Sequence, residues 1–136
     1  MVRHYKLSVG PFNRGFHLIT DNVFNAITSW PQQGMVSVFI QHTSAGICIN
    51  ENADATVRRD FELFFDRLAP EHLEGVQHDM EGPDDMPDHI KATLTGASIQ
   101  IPVIHGVPAL GTWQGIFLCE FRNQARKRDL IISVTE

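Results

Sequence analysis

The most restrictive feature of the sequence is an apolar stripe at helical spacing that ends before Pro70. Its members recur at offsets of 4, 7, 8 and 11 residues from the first: Val57, Phe61, Phe64, Phe65 and Leu68. This is the spacing of one face of an α-helix, and Asp54 stands where an N-cap residue belongs. The pattern predicts a helix over residues 54–69 whose stripe packs on a sheet.

Extended segments surround this helix along the chain. Runs of alternating or continuous apolar residues occupy 5–9, 15–20, 35–40, 46–50, 98–104, 115–122 and 129–135. We interpret 35–40 and 46–50 as hairpin partners and the last three runs as an antiparallel meander.

Two shorter helices are indicated by their end signals. Asp21 precedes apolar residues at helical spacing and Pro31 closes that segment, while a second helix is expected from Pro87 to Thr95, before Gly96. The element order β-β-α-β-β-α-α-β-β-β predicts an α+β fold. We expect a single compact domain over 1–136, with antiparallel sandwich-like sheets and two to three helices.

Composition excludes several classes of protein. The formal net charge of -5 gives no basic face for nucleic acid, and no apolar run reaches the ~20 residues of a membrane span. The first ten residues lack the apolar core of a signal peptide, so a soluble cytoplasmic protein is expected. Cys48 and Cys119 lie in apolar runs, which disfavours a disulfide or a catalytic thiolate.

Polar residues at strand ends and in the 78–89 loop are the candidates for chemistry. His42, His78 and His89 are candidate ligands of zinc or a similar ion, because imidazole is a common metal ligand. The loop also holds five carboxylates, whose oxygens suit Mg²⁺. No HExxH or CxxC motif supports a metal, and a purely structural role for each histidine remains open.

Two further features leave alternatives open. Glu120 interrupts an apolar strand, so it either faces inward and must be paired, protonated or metal-bound, or faces solvent. The inward alternative makes it a candidate general acid or base. The basic run of Arg122, Arg126, Lys127 and Arg128 is either a solvated turn or a phosphate clamp.

Three segments resemble the motifs of the YjbQ family. They read QHTSAGICINENAD at 41–54, HDMEGPDDMPDHIKA at 78–92 and GTWQGIFLCEFR at 111–122. The resemblance implies a secondary thiamine-phosphate synthase that joins a pyrimidine diphosphate to a thiazole phosphate with release of pyrophosphate. It also implies a small phosphorylated substrate and a homotrimer. The alternatives are a metal-dependent hydrolase of another small substrate and a non-catalytic trimeric ligand-binding module.

The resemblance, together with the chemistry of diphosphate release, assigns roles to three groups of residues. The expected catalytic residues are His89, Glu120, Lys91, Asn50 and Glu51. The expected substrate-binding residues are Thr43, Ser44, Asn52, Gln114, Arg128, Asp84 and Asp85. The expected metal ligands are His42, His78 and His89, for a divalent ion such as Mg²⁺ or Zn²⁺, and no organic cofactor is indicated.

Overall fold

A computed structural model describes all 136 residues. The strands are β1 Val2–Val9, β2 Gly15–Leu18, β3 Gln33–Ile40, β4 Ala45–Glu51, β5 Ser98–Ile104, β6 Val107–Pro108, β7 Gln114–Glu120 and β8 Arg128–Thr135. The helices are α1 Thr20–Ala26, α2 Ala55–Leu68 and α3 Asp85–Thr95. The predicted α+β fold with antiparallel sheets and two to three helices is confirmed, and the helices number three. None of these helices combines the length and the apolar character that crossing a membrane requires.

Two antiparallel sheets enclose the main core. The larger sheet has the strand order β1-β8-β3-β5-β6, and the smaller has the order β2-β7-β4. Buried aliphatic side chains of both sheets form one cluster, in which Val36 and Ile132 come from the larger sheet and Ile47 and Leu118 from the smaller. Val23 of α1 is buried in the same cluster. The apolar side chains at alternate positions of the strands therefore fill the space between the sheets.

Strand β7 is buried on both of its faces. Its even-numbered residues Ile116 and Leu118 belong to the main core. Its odd-numbered residues Phe117 and Cys119 belong to a second cluster, against which Phe61 and Phe65 of α2 and Ala92 of α3 also pack. The molecule therefore has three layers, with β7 in the middle one. This explains why residues 115–122 are apolar almost without interruption.

The predicted pairing of the strands is wrong in two places. β3 and β4 are not hairpin partners, because residues 41–44 carry the chain from the larger sheet to the smaller one. The last three long strands form no meander either: β5 and β8 both pair with β3, while β7 pairs with β2 and β4. A strand that is apolar on both faces needs two covering layers, which a meander at the edge of one sheet does not supply.

The predicted ends and buried face of the helices are matched only in part. The Asp54 side chain accepts a hydrogen bond from the Thr56 backbone N–H at 2.9 Å, which confirms the N-cap of α2. The stripe of α2 is less buried than predicted, because Phe64 and Leu68 are each 67% exposed. Helix α1 ends at Ala26 with Asp21 inside its first turn, and α3 begins two residues before the predicted Pro87.

Candidate metal centre and basic cleft

Three side chains meet at the first turns of α3, and we call them the His–Asp cluster: His78, Asp85 and His89. The Asp85 Oδ2 atom lies 2.6 Å from His78 Nε2 and 3.2 Å from His89 Nε2. Asp85 and His89 are four residues apart on α3, so they share one face of the helix. His78 reaches them from the loop before the helix. The cluster therefore gathers two imidazoles and one carboxylate at a single point.

The ring of His89 is oriented by the backbone. Its Nδ1 atom lies 2.9 Å from the carbonyl oxygen of Thr43, which can only accept a hydrogen bond. Nδ1 therefore carries a proton and donates this hydrogen bond, while Nε2 faces the Asp85 carboxylate. A hydrogen bond of this kind fixes the tautomer of metal-bound histidines. Thr43 thus serves the site through its backbone.

Asp85 is fully buried and still ionised. Burial alone would raise the pKa of this carboxyl, but the hydrogen bond from His78 and the positive charges of His89 and Arg122 hold the pKa below its ordinary value. The second oxygen, Oδ1, accepts a hydrogen bond from Arg122 Nη1 at 2.8 Å. The carboxylate therefore has one oxygen anchored and one oxygen turned to the histidines.

The spacing of the cluster fits a tetrahedral metal with a small adjustment. Ligand atoms about 2.0–2.1 Å from one zinc ion lie roughly 3.3 Å apart. The distance from His89 Nε2 to Asp85 Oδ2 matches this value, whereas the shorter distance to His78 Nε2 is that of a direct hydrogen bond. A metal would require His78 to move outward by less than about 1 Å. Its side chain is 53% exposed on a loop, so this small shift is accessible.

His42, the third predicted ligand, lies outside the cluster. Its Nε2 atom accepts a hydrogen bond from the Asp129 backbone N–H at 2.8 Å, which occupies that lone pair. Partial burial, followed by the positive charge of Arg128, lowers the pKa of His42. In the structure Asp85, predicted as a substrate-binding residue, takes the third position instead. No residue pattern distinguishes His42 from Asp85 as the third member, because the choice depends on contacts between separate elements.

Glu120 faces inward and is fully buried in an ion pair. Arg128 donates to it from Nε to Oε1 at 2.7 Å and from Nη2 to Oε2 at 2.5 Å, while Nη2 also lies 3.4 Å from the carbonyl oxygen of Ser44. This resolves the open question of which way Glu120 faces. A carboxylate committed to an arginine in this way is not a free general acid or base. Its observed contacts make it a residue that positions Arg128.

Two other predicted site residues, Lys91 and Asp84, use their side chains in contacts within the protein. Lys91 is only 2% exposed and pairs with Asp66 of α2 at 2.7 Å, so its ammonium group is used between the helices. One carboxylate oxygen of Asp84 accepts a hydrogen bond from the Asn123 backbone N–H at 3.1 Å. These contacts tie α3 to α2 and to the segment after β7.

Four predicted site residues lie at the far end of the smaller sheet: Asn50, Glu51, Asn52 and Gln114. Strand β4 begins beside Glu120 at Ala45 and ends beside Gln114 at Glu51. Six residue steps in a strand span about 20 Å, so one chain does not bring these four to the His–Asp cluster. Asn52 donates to the carbonyl oxygens of Thr112 and Gln114, both at 3.2 Å. Their observed contacts brace turns.

Asp88 is a buried feature that the sequence analysis did not single out. Neither carboxylate oxygen has a hydrogen-bond partner, although the residue is 0% exposed. Burial, and then the negative charge of Asp84, raise the pKa of Asp88 to about 8. A carboxylate in the first turn of a helix normally faces solvent, so no sequence signal marks this one as buried.

A basic cleft of about 550 Å³ opens beside the His–Asp cluster. Its lining includes the four basic residues of the run noted in the sequence: Arg122, Arg126, Lys127 and Arg128. Arg122 belongs to both features, because it also holds Asp85. The fold therefore places a metal-type ligand set and a cluster of cations side by side.

Comparison with known proteins supports one family along almost the whole chain. The model of the UPF0047 protein YjbQ-like family matches residues 5–136. The UPF0047 protein YjbQ of Escherichia coli O157:H7 is 43% identical over 130 residues, which cover 94% of each chain. A YjbQ/UPF0047 family crystal structure from Clostridium acetobutylicum superposes with a TM-score of 0.84 at 39% identity, covering 96% of this chain and 98% of that one.

A more distant structure shows the same fold. A YbjQ-like protein from Sulfolobus solfataricus superposes with a TM-score of 0.87 at 23% identity, covering 98% of this chain and 96% of that one, and it is described as of unknown function.

The activity implied by the resemblance has to be corrected. The matching family model and the curated relatives carry the UPF0047 designation and no activity. The expected thiamine-phosphate synthase activity was therefore wrong as an assignment, because none of these relatives carries it. The family expectation itself is confirmed: the chain belongs to the UPF0047 YjbQ-like family.

Proposed function

We propose that the protein is a metal-dependent enzyme whose divalent ion, of the zinc type, is held by His78, Asp85 and His89. The observation that carries the proposal is the orientation of His89. Its Nδ1 atom is bonded to the Thr43 carbonyl, and its Nε2 atom faces a buried carboxylate. The Thr43 carbonyl accepts a hydrogen bond from one ring nitrogen and leaves the other beside a carboxylate, which is how a metal-binding histidine is oriented toward a second ligand.

The chemistry of the donor set favours zinc over magnesium. Imidazole nitrogens suit zinc and its neighbours among the transition metals, whereas magnesium prefers oxygen ligands and retained water. Three protein ligands also correspond to catalytic zinc sites, which keep a position open for water or substrate. A metal bound in this way lowers the pKa of its water or polarises a substrate oxygen. The acidic loop as a magnesium site receives no comparable support.

The proposal is tested by metal content. The protein is purified, stripped with a chelator, reloaded with Zn²⁺ or Co²⁺ and dialysed, and bound metal is then counted by elemental analysis. We expect about one ion per chain in the wild type and a loss of more than tenfold in affinity for His89→Ala. Cobalt should also give the visible absorption of a low-symmetry site.

His105→Asn is the matched control for this measurement. His105 is exposed in a turn with a φ of 52°, a conformation that asparagine tolerates, so the variant removes an imidazole without disturbing the fold. It should bind metal as the wild type does. A folded His89→Ala protein that retains full metal affinity would exclude the site.

The cytoplasmic location and the homotrimer stay predictions. Sedimentation equilibrium tests the second, because a trimer would have three times the 15.3 kDa mass of one chain.

A further inference from the structure

The basic cleft is lined without a single hydrophobic side chain. Arg122, Arg126 and Lys127 come from the segment that links β7 to β8, and the fourth cation, Arg128, is the first residue of β8. The whole protein carries a net charge of -5, so a local group of four basic residues is not a consequence of composition. Polar lining and concentrated positive charge are the properties of a site for a small anion.

Arg128 gives the cleft a rigid donor. The residue is 5% exposed, and its Nε and Nη2 atoms are fixed by Glu120. The remaining terminal nitrogen, Nη1, has no hydrogen-bond partner within the protein. The one fully enclosed side-chain nitrogen without a partner belongs to Arg58, so Nη1 of Arg128 is not sealed off from the cleft. It therefore keeps donors for a bound group. A guanidinium held in place loses little side-chain entropy when it binds an anion.

Arg126 and Lys127 give the cleft its uncompensated charge. Both are exposed, and neither forms an ion pair, whereas Arg122 and Arg128 are balanced by Asp85 and Glu120. Glu81 is the one carboxylate in the lining. The balance is positive, and the amide of Gln124 adds a neutral hydrogen-bonding group to the wall.

We propose that the basic cleft binds the phosphate group of a small phosphate monoester. Arg128 supplies the donors of its fixed Nη1 atom, Arg126 and Lys127 supply charge, and Arg122 links the bound phosphate to the His–Asp cluster. The cleft belongs to the site of the proposed function, so the inference that the rest of the same molecule reaches the metal depends on that function. The binding of phosphate itself does not depend on the metal.

The first experiment uses metal-free protein, in a chelator, and inorganic phosphate as the probe. Isothermal titration is compared for the wild type, the double variant Arg126→Gln/Lys127→Gln and the control Arg59→Gln/Arg67→Gln. The control removes two exposed cations from α2 and changes the net charge equally. We expect saturable binding that the first variant weakens by about tenfold or more and that the control changes by less than about twofold. No saturable binding, or equal losses in both variants, overturns the proposal.

Two further arms separate the source of the phosphate and the two proposals. Glycerol 3-phosphate should bind at least as well as inorganic phosphate, and tighter binding of a single-stranded oligonucleotide than of either would overturn a small-molecule site. His78→Ala should lose metal and keep phosphate affinity. Arg126→Gln/Lys127→Gln should do the reverse. A wild-type protein that binds metal and shows no saturable phosphate binding thus defeats the cleft alone, and one that binds phosphate and takes up no metal defeats the metal centre alone.

Discussion

Glu120 and Arg128 form a buried, two-point ion pair between the two sheets. Glu120 ends β7 of the smaller sheet, and Arg128 begins β8 of the larger one. Both hydrogen bonds are at 2.7 Å or less, and Glu120 has no exposed surface. The pair therefore joins the sheets at the end where the His–Asp cluster and the basic cleft lie.

Removing one member of this pair should destabilise the protein severely. In Glu120→Ala the Arg128 guanidinium is left buried without its counter-charge, a change that typically costs about 3–5 kcal/mol. Urea unfolding followed by circular dichroism measures the loss. Glu74→Ala, at an exposed carboxylate, should change the free energy of unfolding by less than about 0.5 kcal/mol.

The double variant Glu120→Leu/Arg128→Met distinguishes the cost of an unpaired charge from the cost of lost packing. Two apolar side chains of similar volume remove both charges, so most of the lost stability should return. Phosphate affinity should not return, because the donors of Arg128 are gone. A double variant as unstable as Glu120→Ala would show that packing, rather than the unpaired charge, sets the cost.

The sequence was sufficient for the elements and insufficient for their pairing. Periodicity located the main strands and helices, and the Asp54 cap was found because capping depends only on near neighbours. Strand partners depend on contacts far apart in the chain. The apolar run at β7 is equally consistent with the edge strand of a meander and with a strand in a middle layer. Only the structure, which shows β7 buried on both faces, distinguishes the two.

The candidate site was predicted in its components and not in its geometry. His78 and His89 were named as ligands, and the structure brings them together. Asp85 could not be chosen among five nearby carboxylates, because only the turn of α3 aims it at His89. Asn50 and Gln114 share motifs with the site residues, but a strand carries them to the other end of the sheet.

His42 should be neutral and carry its proton on Nδ1. Burial and Arg128 lower its pKa, so the folded protein binds this proton less readily than the unfolded chain, whose value is near 6.5. The stabilising contribution is therefore present above that value and is lost as the pH falls through the folded-state pKa. Long-range ¹H–¹⁵N NMR spectra report the tautomer and the titration directly. A His42 ring protonated on Nε2 at neutral pH contradicts the hydrogen bond to Asp129.

Asp88 should give metal-free protein an opposite dependence on pH. Its pKa is raised from 3.8 to about 8, so the folded state holds a proton that the unfolded chain releases. The contribution to stability is full below the unfolded value and is lost as the pH rises toward 8. Urea midpoints measured from pH 4 to pH 9 in chelator test this.

Asp88→Asn is the decisive variant for this pH dependence. The amide cannot ionise, so the decline with rising pH should flatten, and the variant should be more stable than the wild type near pH 8. Asp60→Asn, at an exposed carboxylate of α2, serves as the control. An unchanged slope in Asp88→Asn would mean that another group titrates.

Gly46 should not tolerate a side chain. A Cβ atom at this position of β4 would lie 1.8 Å from Thr95 Oγ1 at the end of α3. Gly46→Ala should destabilise the protein by about 1–3 kcal/mol and weaken metal binding, because α3 carries Asp85 and His89. Adding Thr95→Ala should recover much of both losses. Thermal unfolding and metal titration of the four proteins of this cycle give the coupling, and strict additivity would argue against the contact.

The two faces of β7 divide mutational effects into two kinds. Ile116 and Leu118 touch only the core between the sheets, so truncating them should lower global stability and leave the shape of the metal centre alone. Phe117 and Cys119 face the helices, so changes there should tilt α3 and alter ligand affinity out of proportion to stability. Adjacent positions on one strand thus become separate controls, one for whether the protein folds and the other for how its site is tuned.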